Sequence, residues 1–217
     1  MKKAFTMLEL VFVIVIVGIL SYFVSSSFQR NPLREAADQI VSHIRYTQHL
    51  AMIDDKFDPN DARFKANPAY SATHDGEWYK EFWRIRFSKV QGAVYYVVFS
   101  DKDRNRNVDT TTHTEPAIDP LSGKYLFVGN GGNDARNNDK MNLTDTYGIT
   151  DANATCDAGF LDFFFDNLGR PYVHSVDAYP SGILQNDCNI TLVNAQGNIV
   201  ITVTKETGYT YISAQNY

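Results

Sequence analysis

The chain opens MKKAFTMLELVFVIVIVGILSYFV, and nearly every residue from Phe5 to Val24 is apolar except Glu9. A run of about 20 residues makes roughly 30 Å of helix, the thickness of a bilayer's hydrocarbon core. A carboxylate inside such a segment is costly and calls for a partner. Lys2 and Lys3 precede the run, which by the positive-inside rule keeps the N-terminal tip cytoplasmic. A secretory signal peptide would explain the basic start and could end at Ser25-Ser26-Ser27, but it does not ordinarily carry a carboxylate in its apolar centre. A plain membrane anchor explains the length and leaves Glu9, at most snorkelling to an interface, without a purpose.

A third reading accounts for both features. The stretch KKAFTMLELVFVIVIVGIL resembles the class III leader and N-terminal helix of type IV pilins and type II secretion pseudopilins. That family carries a short basic leader, a small residue before the cut, a phenylalanine, and a glutamate four residues on. Here these are Lys2 and Lys3, Ala4, Phe5 and Glu9, with alanine where glycine is usual. The resemblance implies cleavage between Ala4 and Phe5 by a prepilin peptidase, and N-methylation of Phe5 by the same enzyme. It implies a single-pass inner-membrane subunit with a cytoplasmic N-terminus and a periplasmic head, in contact with membrane lipid. Its further partners would be other minor and major (pseudo)pilins and the inner-membrane assembly platform. The cationic amine of Phe5 and the Glu9 carboxylate of a neighbouring subunit would neutralise one another, two costly ions becoming tolerable as a pair. Their offset of four residues sets an axial stagger of about 6 Å.

The sequence thus divides into a leader (1–4), a transmembrane half-helix (5–24), a periplasmic continuation of that helix (25–56) and a β-rich head (57–217). The expected fold class is α+β: one long N-terminal helix, membrane-spanning in its first half, packed on an antiparallel head of one or two sheets. In the second half Leu33, Ala37, Ile40, Ile44, Thr47 and Ala51 share a helical face, so that face needs a sheet to cover it. Pro32 either kinks the helix or separates two helices at Asn31-Pro32. Residues 54–76 read as a long polar loop, and the Gly/Asn-rich 129–139 as a surface insertion. EFWRIRFS and GAVYYVVFS form a hairpin across Lys89–Gly92, and NITLVNA and NIVITVT a second across Asn194–Asn198. KYLFV, GFLDFFFD, RPYVHS and GYTYIS are further strands.

FFFDNLGRPYV and ITVTKETGYTYI resemble the segments that close the heads of the H-type pseudopilin and FimT-like minor pilins. The matching residues are Phe165, Asp166, Gly169, Arg170 and Pro171, then Thr207, Gly208 and Tyr209. This resemblance points to a minor subunit of a pilus or pseudopilus, in its initiation or tip complex, serving secretion or DNA uptake. The rival is an uncleaved bitopic inner-membrane protein with a periplasmic binding or sensor head.

Three sites stand out in the head. In SDKDRNRNVDTTTHTE, Asp101, Asp103, Asn105, Asn107 and Asp109 place an oxygen at every second position, as a Ca²⁺ loop does. Arg106 stands where such a loop has glycine and Thr112 where it has a bidentate glutamate, a role Glu115 could take. The competing reading is a solvated hairpin loop with internal ion pairs. Asn153 and Asn189 lie in Asp-x-Asn-x-Thr glycosylation sequons, and Asn142 in the shorter Asn-x-Thr form. An oxidising periplasm would make Cys156 and Cys188 a disulfide. A net charge of −5, with Lys205 the one lysine or arginine after Arg170, argues against nucleic acid. No zinc-protease, nucleophile-elbow or phosphate-loop motif occurs, so the expected role is non-enzymatic with no required cofactor beyond a structural Ca²⁺. His74, Asp75 and Glu77 cluster in a loop and read as solvated surface.

Overall fold

The computed structural model describes residues 6–27, 31–58, 77–109, 112–128, 134–156, 161–173 and 179–216, and the side chains of these apart from 24–27. The chain divides into two compact units, Met1–Asn31 and Pro32–Tyr217.

The first unit is helix α1, Met7–Ser27. Thr6 caps it: its hydroxyl accepts the Glu9 N–H at 3.3 Å. Thr6 and Glu9 thus have capping-box spacing, and the Glu9 charge lies at the positive end of the helix dipole. Every described side chain from Thr6 to Phe23 is exposed, so α1 has no polar face to turn to water.

Two expectations are overturned here. No helix among the described residues is long and apolar enough to cross a membrane, which removes the basis for a single-pass inner-membrane placement. Glu9 stands inside the helix, where a carboxylate is costly in hydrocarbon. Nor is there one long N-terminal helix: α1 ends at Ser27 and a separate α2 spans Pro32–Ile53. Proline at the first position explains the break. It lacks the N–H that a first turn leaves unpaired anyway, and it biases Asn31 away from helical angles, so Pro32 starts a helix rather than bending one.

In the second unit, α2 buries Leu33, Ala37, Ile40, Ile44, Thr47 and Ala51, the face read from the sequence, together with Ala36 and Val41. It lies against two four-stranded antiparallel sheets. The first has the order β2-β1-β4-β5, from Trp83–Val90 (β1), Ala93–Ser100 (β2), Asp162–Phe165 (β4) and Pro171–Tyr172 (β5). The second has the order β3-β6-β7-β8, from Asp151–Ala154 (β3), Cys188–Asn194 (β6), Gly197–Val203 (β7) and Thr210–Asn216 (β8). One apolar cluster joins Ile40 and Ile44 to Ile85 and Phe163 of the first sheet and to Ile190 and Ile201 of the second. Both hairpins read from the sequence are present. The β1–β2 turn is Gln91-Gly92 with φ of 52° and 86°, the two left-handed residues of a tight hairpin.

Polar anchors hold α2 over the sheets. Gln39 donates to the Tyr96 hydroxyl at 2.6 Å and accepts from Tyr147 at 2.6 Å, Tyr147 ending the short helix α3, Leu143–Tyr147. Burial lowers the His43 pKa to about 4 against the pull of Asp119, so the ring is neutral at pH 7. Its Nδ1 lies 2.7 Å from the Tyr96 oxygen, a hydrogen bond that fixes the ring beside that tyrosine.

KYLFV forms no strand. Tyr125 makes isolated bridges to Ile118 and Asn137 instead. RPYVHS shrinks to Pro171–Tyr172. The loop of 54–76 and the insertion of 129–139 fall largely, or in their first part, outside the described residues, as do His74 and Asp75.

Candidate functional site

The oxygen-rich loop leaves β2 at Ser100 and folds back on itself through its own carboxylates. The Asp101 carboxylate, fully buried, accepts the N–H groups of Asn105 at 3.1 Å and Arg106 at 2.8 Å. Glu115 Oε1 accepts from the amides of Lys102 (2.8 Å) and Asp103 (3.3 Å), and its Oε2 from that of Asp109 at 2.6 Å. Arg106 has φ of 69° and Arg104 φ of 60°, the left-handed conformation an ion-binding loop ordinarily assigns to glycine. Each such residue costs about 1–2 kcal/mol, which the fixed contacts around it must offset.

Those contacts come from below the loop. Arg86 Nη1 donates to the Arg106 carbonyl at 2.7 Å and Arg86 Nη2 to Asp162 at 2.7 Å. Arg104 is buried and donates to Glu81 Oε1 at 2.9 Å and 3.1 Å, so this cation does not turn outward as strict alternation would have it. Arg84, also buried, sits 3.9 Å from Asp101 and 4.0 Å from Asp162. Burial raises the Asp101 pKa to about 6, with Arg84 opposing, and burial likewise raises Glu115.

Carboxylate oxygens of Asp101, Asp103 and Glu115 come within 4.8 Å of one another. The other three sequence candidates point elsewhere. Asn105 Oδ1 accepts the Asn107 amide at 2.7 Å, Asn107 donates its carboxamide back to the Asn105 carbonyl, and Asp109 is occupied by Thr112. Three carboxylates are a donor set of the hard-oxygen kind a Ca²⁺ ion takes.

Family models, curated proteins and solved structures give no match to this chain.

The two segments singled out near the end of the chain meet under α2. Asp166 is buried; it accepts the amides of Leu168 and Arg170 and the Arg170 side chain at 2.6 Å, closing the Gly-Arg-Pro turn. Gln48 Nε2 then bridges both segments, donating to the carbonyls of Gly169 and Thr207 at 2.7 Å each. Arg45 adds two bonds to the Thr210 carbonyl and stacks over Tyr209.

Cys156 and Cys188 form a disulfide, Cα–Cα 5.2 Å, between the end of β3 and the start of β6. Asn153 is exposed on β3, Asn189 half-buried on β6, and Asn142 buried as the cap of α3. Glu9 lies exposed in the first turn of α1, and Ala4 and Phe5 lie outside the described residues. The sequence reading missed Glu81, Arg84, Arg86 and Asp162, the ions beneath the loop, and the inward turn of Arg104. Arg84 and Arg86 alternate with Ile85 and Phe87 in β1, a pattern that ordinarily marks a solvent face.

Proposed function

We propose that this chain is a structural, non-catalytic minor subunit of a type IV pilus or type II pseudopilus. The observation that carries the reading is α1. It is apolar all round, exposed at every described side chain, and bears a single carboxylate, Glu9, in its first turn. Such a surface needs cover, and the like helices of neighbouring subunits supply it, the Phe5 amine of one pairing with Glu9 of the next. Cleavage after Ala4 by a prepilin peptidase is what exposes that amine. The head, held on α2, is left to meet other minor subunits.

The first test is the N-terminal residue of the protein purified from the cells that make it. An N-methylated Phe5, read by mass spectrometry, is expected; an intact Met1 would sink the reading. Glu9→Gln preserves the capping-box spacing with Thr6 while removing the charge, so α1 should still form. An unpaired buried amine costs about 3–5 kcal/mol, so incorporation into filaments should fall on the order of a hundredfold or more.

A structural Ca²⁺ belongs to the same proposal, held by Asp101, Asp103 and Glu115. It would add cross-linking between the ends of the loop that Asp101 and Glu115 already tie through backbone amides. Ligation requires ionised carboxylates, so binding should weaken as pH falls through about 6, where Asp101 takes up its proton. Millimolar Ca²⁺ is expected to raise the melting temperature at pH 7 by several degrees, and Glu115→Gln to abolish that rise. At a hundred times the dissociation constant the gain is about 2.7 kcal/mol. A melting curve indifferent to Ca²⁺ would leave the loop as a self-contained ion-pair turn.

A further inference from the structure

Three Asn-x-Thr sequons sit in this head, and the fold treats them very differently. Asn142 is buried: its Oδ1 accepts the Asp145 N–H at 3.0 Å and its amide donates to the Asp145 carboxylate at 2.6 Å. Asn189 sits in β6, an inner strand paired with β3 on one side and β7 on the other. Its Oδ1 holds the Thr202 hydroxyl at 2.7 Å, and freeing it would break ladders on both sides.

Asn153 is placed otherwise. The strand repeat of two puts Asp151 and Asn153 on one face of β3, while Ala152 and Ala154 pack on the core. The acidic and acceptor positions of the sequon therefore face outward together, and Asn153 is exposed; Thr155, just past the strand, is exposed too, its hydroxyl accepting the Asn189 N–H at 3.0 Å. The Asn153 amide donates to Asp151 at 2.7 Å, and Asp151 is itself held by Lys89 at 3.0 Å. Among the described residues β3 forms the end of its sheet and spans four residues, paired only with β6. Peeling it away costs one short ladder and the two Thr155–Asn189 bonds, while the Cys156–Cys188 disulfide keeps its far end on β6.

We propose that Asn153 is the N-glycosylation site of this protein. The donor class is a polyprenyl-diphosphate-linked oligosaccharide acted on by an oligosaccharyltransferase. The Asn153 Nδ2 forms a bond to the anomeric carbon as the bond from that carbon to the diphosphate oxygen breaks. The polyprenyl diphosphate leaves with the electron pair, and the amide proton passes to the transferase. A glycan here stands beside the open edge of β3, where it would hinder another strand from adding to the sheet.

The test is peptide-level mass spectrometry of the full chain isolated from the cells that make it. Expected is a sugar mass increment on the Asn153 peptide and none on the peptides of Asn142 and Asn189. Asn153→Gln should remove the increment entirely, and Asp151→Ala should lower occupancy at least about fivefold, since Asp151 holds the acceptor amide at 2.7 Å. An unmodified Asn153, or sugar on Asn142 or Asn189, overturns the assignment. The outcome does not depend on whether the chain assembles into filaments.

Discussion

Gly208→Ala is expected to lower the melting temperature by about 10 °C. Gly208 has φ of 65°, where an L side chain costs roughly 1–2 kcal/mol. An added Cβ would also lie 2.8 Å from Gln48 Nε2, 3.0 Å from the Phe165 ring and 3.2 Å from the Gly169 carbonyl. Gln48 cannot simply swing aside, because that nitrogen is the donor joining the Gly169 and Thr207 carbonyls under α2. Overpacking of this kind adds about 1–3 kcal/mol. The sum, about 2–5 kcal/mol, converts at about 2–4 °C per kcal/mol for a chain this size. Gly92→Ala is the control. Its φ of 86° carries the same conformational penalty, but nothing lies within 4 Å of the new Cβ, so about 3 °C is expected. Thermal unfolding followed by circular dichroism measures both, and equal losses would mean that the Gln48 bridge contributes nothing.

That bridge also shows how far the sequence could be read. Gly169 and Gly208 stand in two short segments whose kinship with one another is invisible along the chain, since nothing in either names Gln48 as the donor between them. Helical periodicity identified the apolar face of α2 because six residues repeating at helical spacing have one way to be buried. The hairpins were legible because Gln91-Gly92 and the Asn194–Gly197 turn interrupt strand patterns at the right length. β3 was not: DANA has no β-branched or aromatic residue, and pairing with Leu192 and Thr191 makes it a strand. KYLFV failed in the opposite direction, its strand-like composition spent on packing Leu126 and Phe127 rather than on a ladder.

The acidic loop was found from its alternating oxygens, and the structure gathers three of the six proposed ligands. What composition could not supply was the burial of Arg84 and Arg104. Alternation in β1 assigns Arg84 to water, yet Phe99, Phe164 and the loop itself cover that face, and Arg84 stacks on the Phe99 ring. A charge that looks solvated in sequence becomes a counter-ion for Asp101 and Asp162 only once β4, more than 70 residues away, has paired with β1. The N-terminal break has a simpler cause, local to Pro32.

Loss of the Cys156–Cys188 disulfide should cost as much as Gly208→Ala, by a different route. The bridge closes a sequence separation of 32 residues. In the chain-entropy treatment such a loop is worth about 3–4 kcal/mol, through restriction of the unfolded chain rather than contacts in the folded one. The position makes that restriction useful. After β3 the chain leaves the second sheet, builds β4 and β5 in the first, and returns to pair β6 beside β3. The disulfide ties the base of this excursion, so β6 is delivered to its neighbour at a lower cost in loop entropy. Cys156→Ala with Cys188→Ala is therefore expected to stay folded but to melt about 10 °C lower, and reduction of the wild-type protein should reproduce the shift. Cys188 is fully buried, so alanine is the replacement that leaves no unpaired hydroxyl there. A loss under about 1 kcal/mol would mean that β4 pairing and the α2 contacts hold the excursion without the bridge. A loss in the double variant much larger than that on reduction would assign the difference to the packing of the two sulfur atoms.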